Sequence, residues 1–351
     1  MVYRRVWCGG AKVSRGEAGL LKRFVKKVFP WSPAVYRQAK QALTMVHNQF
    51  DTPILILLYH RCAVLETDPQ LLAVTPENFT NQLKWLKERY PILRFDESWE
   101  SVREPSVVLT FDDGYWDNYA YAVPILERLQ VPATIFVSTE RIGTGKEPWC
   151  DDVERIVLLN NNFLGTKIHL DLRGQGSVGV FIADEEARRE LYYRVHDAVR
   201  LMQPNEREEI LSRIEEEYGA SPVRPSHRYM TEKELQELAK SHYITIGGHT
   251  VTHSRLSVLS REKQREEIEG SIHCLEKIMN KKVTTFSYPF GGKKDYNADS
   301  VAIVREMNLK TASNFPGRVY RNTSLYELPR RIVRNWDWTT FPMMFQPFWY
   351  N

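Results

Sequence analysis

The sequence predicts an α/β fold built from parallel βα units. Three observations carry this reading. Short apolar runs of strand type recur along the chain, at Ile54–Tyr59, Val107–Leu109, Ala133–Val137 and Tyr243–Ile246. Helical patterns lie between several of them, and a strand, helix, strand rhythm favours parallel pairing. A length of 351 residues suffices for one barrel domain with insertions and a large buried core.

Taken in order, residues 1–50 form a basic extension. They hold ten Lys or Arg and one Glu, a net +9, so the other 301 residues sum to −5. Leu20, Leu21, Phe24, Val25 and Val28 fall at helical spacing among lysines, and Pro30 ends the pattern. A basic amphipathic helix over 19–29 suits contact with an anionic membrane surface, or packing with a solvated basic face. A second helix is expected from Ala34 to about Val46. No binding module accompanies the charge, which argues against nucleic acid.

The run Ile54–Tyr59 ends at His60, where a barrel strand would present chemistry. Thr75 and Pro76 open a helix with Phe79, Leu83 and Leu86 on one face. A further helix is expected over Ala120–Leu129, with Pro124 near its start. The 100 residues or so between Val137 and the next strand exceed any simple connection, so roughly 142–228 is expected to be an insertion of mixed structure. Ile168–Leu172 and Val178–Ile182 pattern as a hairpin, and 184–218 as two helices divided at Pro204. Thr231 and Glu234 make a capping box. Ile268, Ile272, Leu275 and Ile278 make a core stripe on a helix over 261–279, which places His273 in a structural role. Thr311–Phe315 and Arg331–Val333 are late strands. The aromatic end, 341–351, is expected to dock on the barrel.

Composition excludes several classes. With 42% hydrophobic and 26% charged residues the chain is neither disordered nor membrane-spanning. Cys8, Cys62, Cys150 and Cys274 are scattered, without the spacing of a disulfide framework or a thiolate zinc site. The first 20 residues lack an apolar segment of signal type, which points to a cytoplasmic protein, with residues 19–29 available for contact at the inner face of the membrane.

The chemistry concentrates at Thr110–Phe–Asp–Asp–Gly114. Adjacent carboxylates at a strand end are costly unless a positive charge lies beside them. A metal ion is the simplest answer, with one Asp as ligand and the other free to move protons. His249 and His253, in Gly247–Gly–His–Thr–Val–Thr–His253, follow another strand. Two His and one carboxylate leave coordination positions open, as in a catalytic divalent site. Zinc is the first candidate; cobalt, nickel, iron and manganese also suit the donors.

Thr110–Gly114, His249–His253 and Tyr288–Pro–Phe–Gly291 occur in the order of three motifs of the polysaccharide deacetylase (NodB-homology) family of carbohydrate esterases, which the chain resembles over about 53–335. The resemblance implies a distorted (β/α) barrel, with a helical N-terminal extension over 1–50 and the catalytic domain over 51–340. It implies a metal-dependent hydrolase that removes an N-acetyl group from an amino sugar in a glycan or its precursor. It assigns Asp113, His249 and His253 to the metal, Asp112 to the general base and the Phe290 N–H to the oxyanion. Tyr115, Trp149, Asp151 and Tyr288 are the expected substrate-binding residues; a Trp-x-Asp pattern occurs in comparable insertions of the family.

Three departures stand out. The Arg of the third motif is absent, and Arg330 in Leu328–Pro–Arg–Arg is the candidate replacement. The family's Asp-x-x-Asp-Trp motif is missing near 311–316. No His follows His273 to act as the general acid, which leaves His60 for that role. The alternatives are a deformylase or small-molecule amidase on the same site, or a glycan-binding pseudoenzyme.

Overall fold

The computed structural model describes residues 33–350. Cys8 and the amphipathic pattern at 19–29 lie outside the described residues. The described residues fall into two units, 33–51 with Tyr350, and Thr52–Trp349. In the first, a helix spans Pro33–Phe50, four residues beyond the expected end. No helix among the described residues is long and apolar enough to cross a membrane.

The second unit contains twelve strands: β1 (Ile54–Tyr59), β2 (Arg61–Cys62), β3 (Ala73–Val74), β4 (Ile92–Leu93), β5 (Ser106–Phe111), β6 (Ala133–Val137), β7 (Lys167–Asp171), β8 (Ser177–Phe181), β9 (Ile244–Gly248), β10 (Thr285–Ser287), β11 (Lys310–Ala312) and β12 (Arg331–Ile332). The main sheet runs β11-β10-β9-β6-β5-β1-β12, with β4 beside the start of β5. Every pairing in it is parallel. The segment 328–332 touches both ends of this order. Leu328 bridges to Ala312 of β11, and Arg331 and Ile332 pair with Leu57 and Leu58 of β1. The sheet is thereby curled into a distorted barrel.

All six residues of β1 and of β5 are buried. Strands covered on both faces read as continuous apolar runs, which is why these two are plain in the sequence. By contrast β2, β3 and β4 have two residues each, too few to leave a periodic signal.

The expected helix starts are present. Thr75 accepts from the Asn78 N–H ahead of Pro76–Lys87, and Thr231 with Glu234 forms the capping box of Glu232–Leu238. The stripe on Arg261–Met279 buries Ile268, Ile272 and Leu275.

Between β6 and β9, β7 and β8 form an antiparallel hairpin, followed by the helices Glu185–Val199 and Pro204–Tyr218. Trp149, Val153, Phe163, Leu191, Val195 and Ile210 belong to a separate hydrophobic core here, on which Phe290 also packs. The aromatic segment 341–349 packs on the barrel. Phe341 and Phe345 are fully buried, Trp85 meets Phe345 edge-on at 5.3 Å, and Trp349 Nε1 donates to Tyr90 Oη. Among the described residues Cys62, Cys150 and Cys274 are free thiols.

Candidate metal centre

Strand ends build the site. Asp112 and Asp113 directly follow β5, His249 follows β9, and His60 follows β1. Parallel strands bring all these C-terminal ends to one face, where barrel enzymes carry their chemistry.

Asp113 leaves the strand with φ 77°, and Gly114 continues with φ 83°. A Cβ on Gly114 would lie 2.7 Å from Val137 Cγ1, so close approach as well as φ demands glycine. Thr250, His253 and Phe290 also hold positive φ, at 64°, 52° and 60°. Such strained backbone persists only where its surroundings fix it. For the histidine loop the fixing group is Glu267: its carboxylate accepts from the Val251 and Thr252 N–H groups and from Thr252 Oγ1.

The three expected ligands converge. Asp113 Oδ1 lies 3.4 Å from His249 Nε2 and 3.2 Å from His253 Nε2, and all three side chains are buried. His249 Nδ1 contacts the Ser287 carbonyl at 2.7 Å, so Nδ1 carries the proton and Nε2 the lone pair. That Nε2 is buried without a hydrogen-bond partner among the described residues. A bare lone pair facing a carboxylate oxygen calls for positive charge between them. A proton answers in part: burial lowers the His249 pKa, but Asp112 and Asp113 raise it above its ordinary value. His253 has no such balance, and burial holds it below the ordinary value despite Asp113. A divalent cation satisfies all three donors at once, so these residues fit a metal.

Asp112 is held by Arg330, with its Oδ2 3.9 Å from His249 Nε2. The guanidinium Nη1 donates to Oδ1 and Nη2 to Oδ2. Ser287 Oγ donates weakly to the same carboxylate. Arg330 is itself oriented by Nε donating to the Ser313 carbonyl. Burial alone would push the Asp112 carboxyl up, but Arg330 and His249 hold it below the usual range. For His60, burial lowers the pKa, against the nearby charges of Asp113 and Asp112.

The other expected residues divide. Trp149 is buried beside the centre: its ring lies 6.3 Å from His253 and 6.2 Å from Phe290, and Nε1 donates to the His253 carbonyl. Phe290 meets the His253 ring edge-on at 4.9 Å. Its N–H has no protein acceptor among the described residues. Tyr115 and Asp151 are buried together, Tyr115 Oη donating to Asp151 Oδ2 at 2.6 Å. Tyr288 departs from expectation. Its ring is fully buried and stacks on Tyr296 at 4.1 Å, with Oη donating to the Tyr326 carbonyl. This puts the side chain in the core, with no face left for a substrate.

Sequence reasoning missed Ser287 and Glu267, which hold the histidines and Asp112 in place, and Arg200 and Arg207. Arg200 lies over the Phe290 ring at 4.1 Å, and Arg207 over Trp149 at 4.7 Å. Single polar residues on helices carry no local signal of such partners.

The arrangement defines a class of protein: a parallel α/β barrel with a carboxylate–histidine cluster and an Arg-held carboxylate at the strand ends. The polysaccharide deacetylase family model matches residues 100–162 and 206–312, and the chain belongs to that family. The unmatched residues between them include β7, β8 and the helix Glu185–Val199. A Bacillus subtilis relative named "Putative polysaccharide deacetylase YxkH" is 23% identical over 311 residues, 86% of this chain and 79% of the relative. The fold is similar to that of a Streptococcus pyogenes deacetylase, PplD, solved in complex with acetate. The TM-score is 0.53 and the identity 20%, covering 84% of this chain and 98% of that one. BC0361, a polysaccharide deacetylase from Bacillus cereus, gives a TM-score of 0.52 at 19% identity, covering 84% and 69%.

Proposed function

We infer that the protein is a metal-dependent hydrolase that removes an N-acetyl group from an amino sugar of a glycan or glycan precursor. The observation that carries this reading is the convergence of Asp113 Oδ1, His249 Nε2 and His253 Nε2 beside a second, differently held carboxylate. Family membership supports the substrate class.

In this reading Asp113, His249 and His253 hold a divalent cation, zinc by donor preference. When bound, such a cation polarises an acyl oxygen and acidifies water. Asp112 accepts the proton of the attacking water. Its two hydrogen bonds to Arg330 keep it ionised and fix its direction, so little reorganisation is needed at the moment of transfer. The Phe290 N–H, free of protein acceptors among the described residues, donates to the developing oxyanion. His60 delivers a proton to the leaving amine. Trp149 and Phe290 form an apolar wall that limits water beside His253. Residues 51–340 are the catalytic domain, and 142–228 shape the approach of the sugar.

The test is acetate release from N-acetylated oligosaccharides by wild type and Asp112→Asn. Loss of a general base lowers the rate about 10²–10⁴-fold, with metal content unchanged. Wild-type turnover matched by Asp112→Asn contradicts the assignment.

A further inference from the structure

A second group of potential ligands lies at the root of the 142–228 segment and shares no residue with the first. Asp151 and Glu154 come from its first helical turns, and His227 from the point where the chain returns toward the barrel. One donor atom from each lies within 4.8 Å of the others, and all three residues are buried. His227 is 7% exposed, and its Nε2 is buried without a hydrogen-bond partner among the described residues. The other ring nitrogen, Nδ1, contacts Ser226 Oγ at 3.1 Å. Burial, reinforced by Arg61 and Arg224, lowers the His227 pKa to about 2, so the imidazole is neutral, and in the tautomer whose Nδ1–H donates to Ser226 Oγ the lone pair is on Nε2.

The charges around it do not balance. Asp117, Glu147, Asp151 and Glu154 are all buried. Two guanidiniums face them. Arg61 pairs closely with Asp117 at 2.8 Å, and Arg224 with Glu147 at 2.7 Å and Glu154 at 3.1 Å. Four carboxylates against two cations leave an excess of two negative charges. Among the described residues Asp151 Oδ1 meets only Arg61 at 3.6 Å and Arg224 at 3.9 Å, both beyond hydrogen-bond length. Burial accordingly pushes the Asp151 carboxyl up to about 7, against the pull of Arg61. A buried net charge of this size requires protons or a cation. A cleft of about 30 Å³ lined by Arg61, Thr67, Tyr115, Asp151 and Glu154, but not by His227, opens beside the two carboxylates, with room for one water-sized particle.

We propose that Asp151, Glu154 and His227 form a second divalent-cation site, independent of Asp113, His249 and His253. Two carboxylates and one imidazole select a first-row divalent ion such as zinc or manganese over calcium or magnesium, which take oxygen donors. Ligand bonds of about 2.1 Å place donor atoms roughly 3–4 Å apart, so a small side-chain shift closes the set. The ion ties the outgoing and returning ends of the segment together. Through Tyr115 Oη on Asp151 it also holds them to the chain two residues past Asp113.

The experiment counts metal on the full chain after chelation, reloading with Zn²⁺ and desalting. Wild type is expected to bind two equivalents, and His227→Ala one. His249→Ala/His253→Ala is expected to keep one, with a zinc absorption edge showing one imidazole and oxygen donors. The double variant changes no residue of the 142–228 segment, so it decides the matter even where His227→Ala fails to fold. One equivalent in wild type, lost in the double variant, overturns this site and leaves the proposed function standing. Two equivalents retained in folded His227→Ala also overturn it.

Discussion

Arg330 and Asp112, 218 residues apart in sequence, meet through two parallel hydrogen bonds of 2.7 and 2.6 Å. Arg330 is 1% exposed and Asp112 3%. The pair joins the segment that closes the barrel to the strand that carries the paired carboxylates. A planar guanidinium fits a carboxylate at two points, which an ammonium does not.

Removing Arg330 leaves a buried carboxylate without its counter-charge. Arg330→Ala is expected to cost about 3–5 kcal/mol, read as a lowered denaturation midpoint in urea. Arg330→Lys keeps the charge and loses the two-point geometry, so stability and acetate release are both expected to fall between wild type and alanine. An alanine variant as stable and active as wild type contradicts the role given to this pair.

Gly114→Ala tests the turn that aims Asp113. The added methyl meets Val137 and the backbone stays at φ 83°. The strain is on the order of 1–3 kcal/mol, and relief of it moves the Asp113 carboxylate. Zinc affinity measured by chelator competition is expected to fall at least tenfold, more than in Gly143→Ala, where φ is also positive but nothing lies within 4 Å of the new Cβ.

Much of the site was legible because its chemistry is local. Asp112, Asp113 and Gly114 are adjacent, and His249 and His253 are four apart after an apolar run. Each group announces its type without reference to the rest of the chain. Arg330 was nameable as a candidate only because the charge expected near Ser287 and Tyr288 was missing. What holds the site lay beyond reach. Glu267 serves the loop at 250–252 from a different helix, and His227 meets Asp151 across about 75 residues. Nothing in spacing or periodicity encodes such pairs. Tyr288 shows the reverse error: a motif position marks where the backbone goes, while the ring's direction is set by Tyr296 and Tyr326.

Trp149 joins the core of the 142–228 segment to the metal centre. Trp149→Ala is expected to cost about 3–5 kcal/mol and to loosen His253, whose carbonyl and ring it contacts. Thermal melts with and without Zn²⁺ check this. The stabilisation by zinc is expected to shrink in the variant, and an unchanged zinc-induced shift contradicts the contact's role.

Lys310 supplies a pH dependence away from the metal. Its ammonium lies over the Trp99 ring, and burial lowers its pKa to about 7 against Asp96 and Glu97. The unfolded chain keeps the ordinary value near 10.5. Between these values the unfolded state binds more protons, so this group makes stability rise with pH from about 7 to about 10.5. The rise is expected to be smaller in Lys310→Met, as followed by urea unfolding at pH 7, 8 and 9. Parallel curves for the two proteins contradict the assignment.

The most direct test of the central claim joins metal and turnover in one protein. Zinc content and acetate release from an N-acetylated oligosaccharide are measured on wild type and on His249→Ala/His253→Ala. The account predicts acetate from wild type only, with the double variant short of wild type by one zinc per chain and inactive under zinc repletion. Acetate released by the double variant at the wild-type rate, or wild type that binds no metal when repleted, would contradict it.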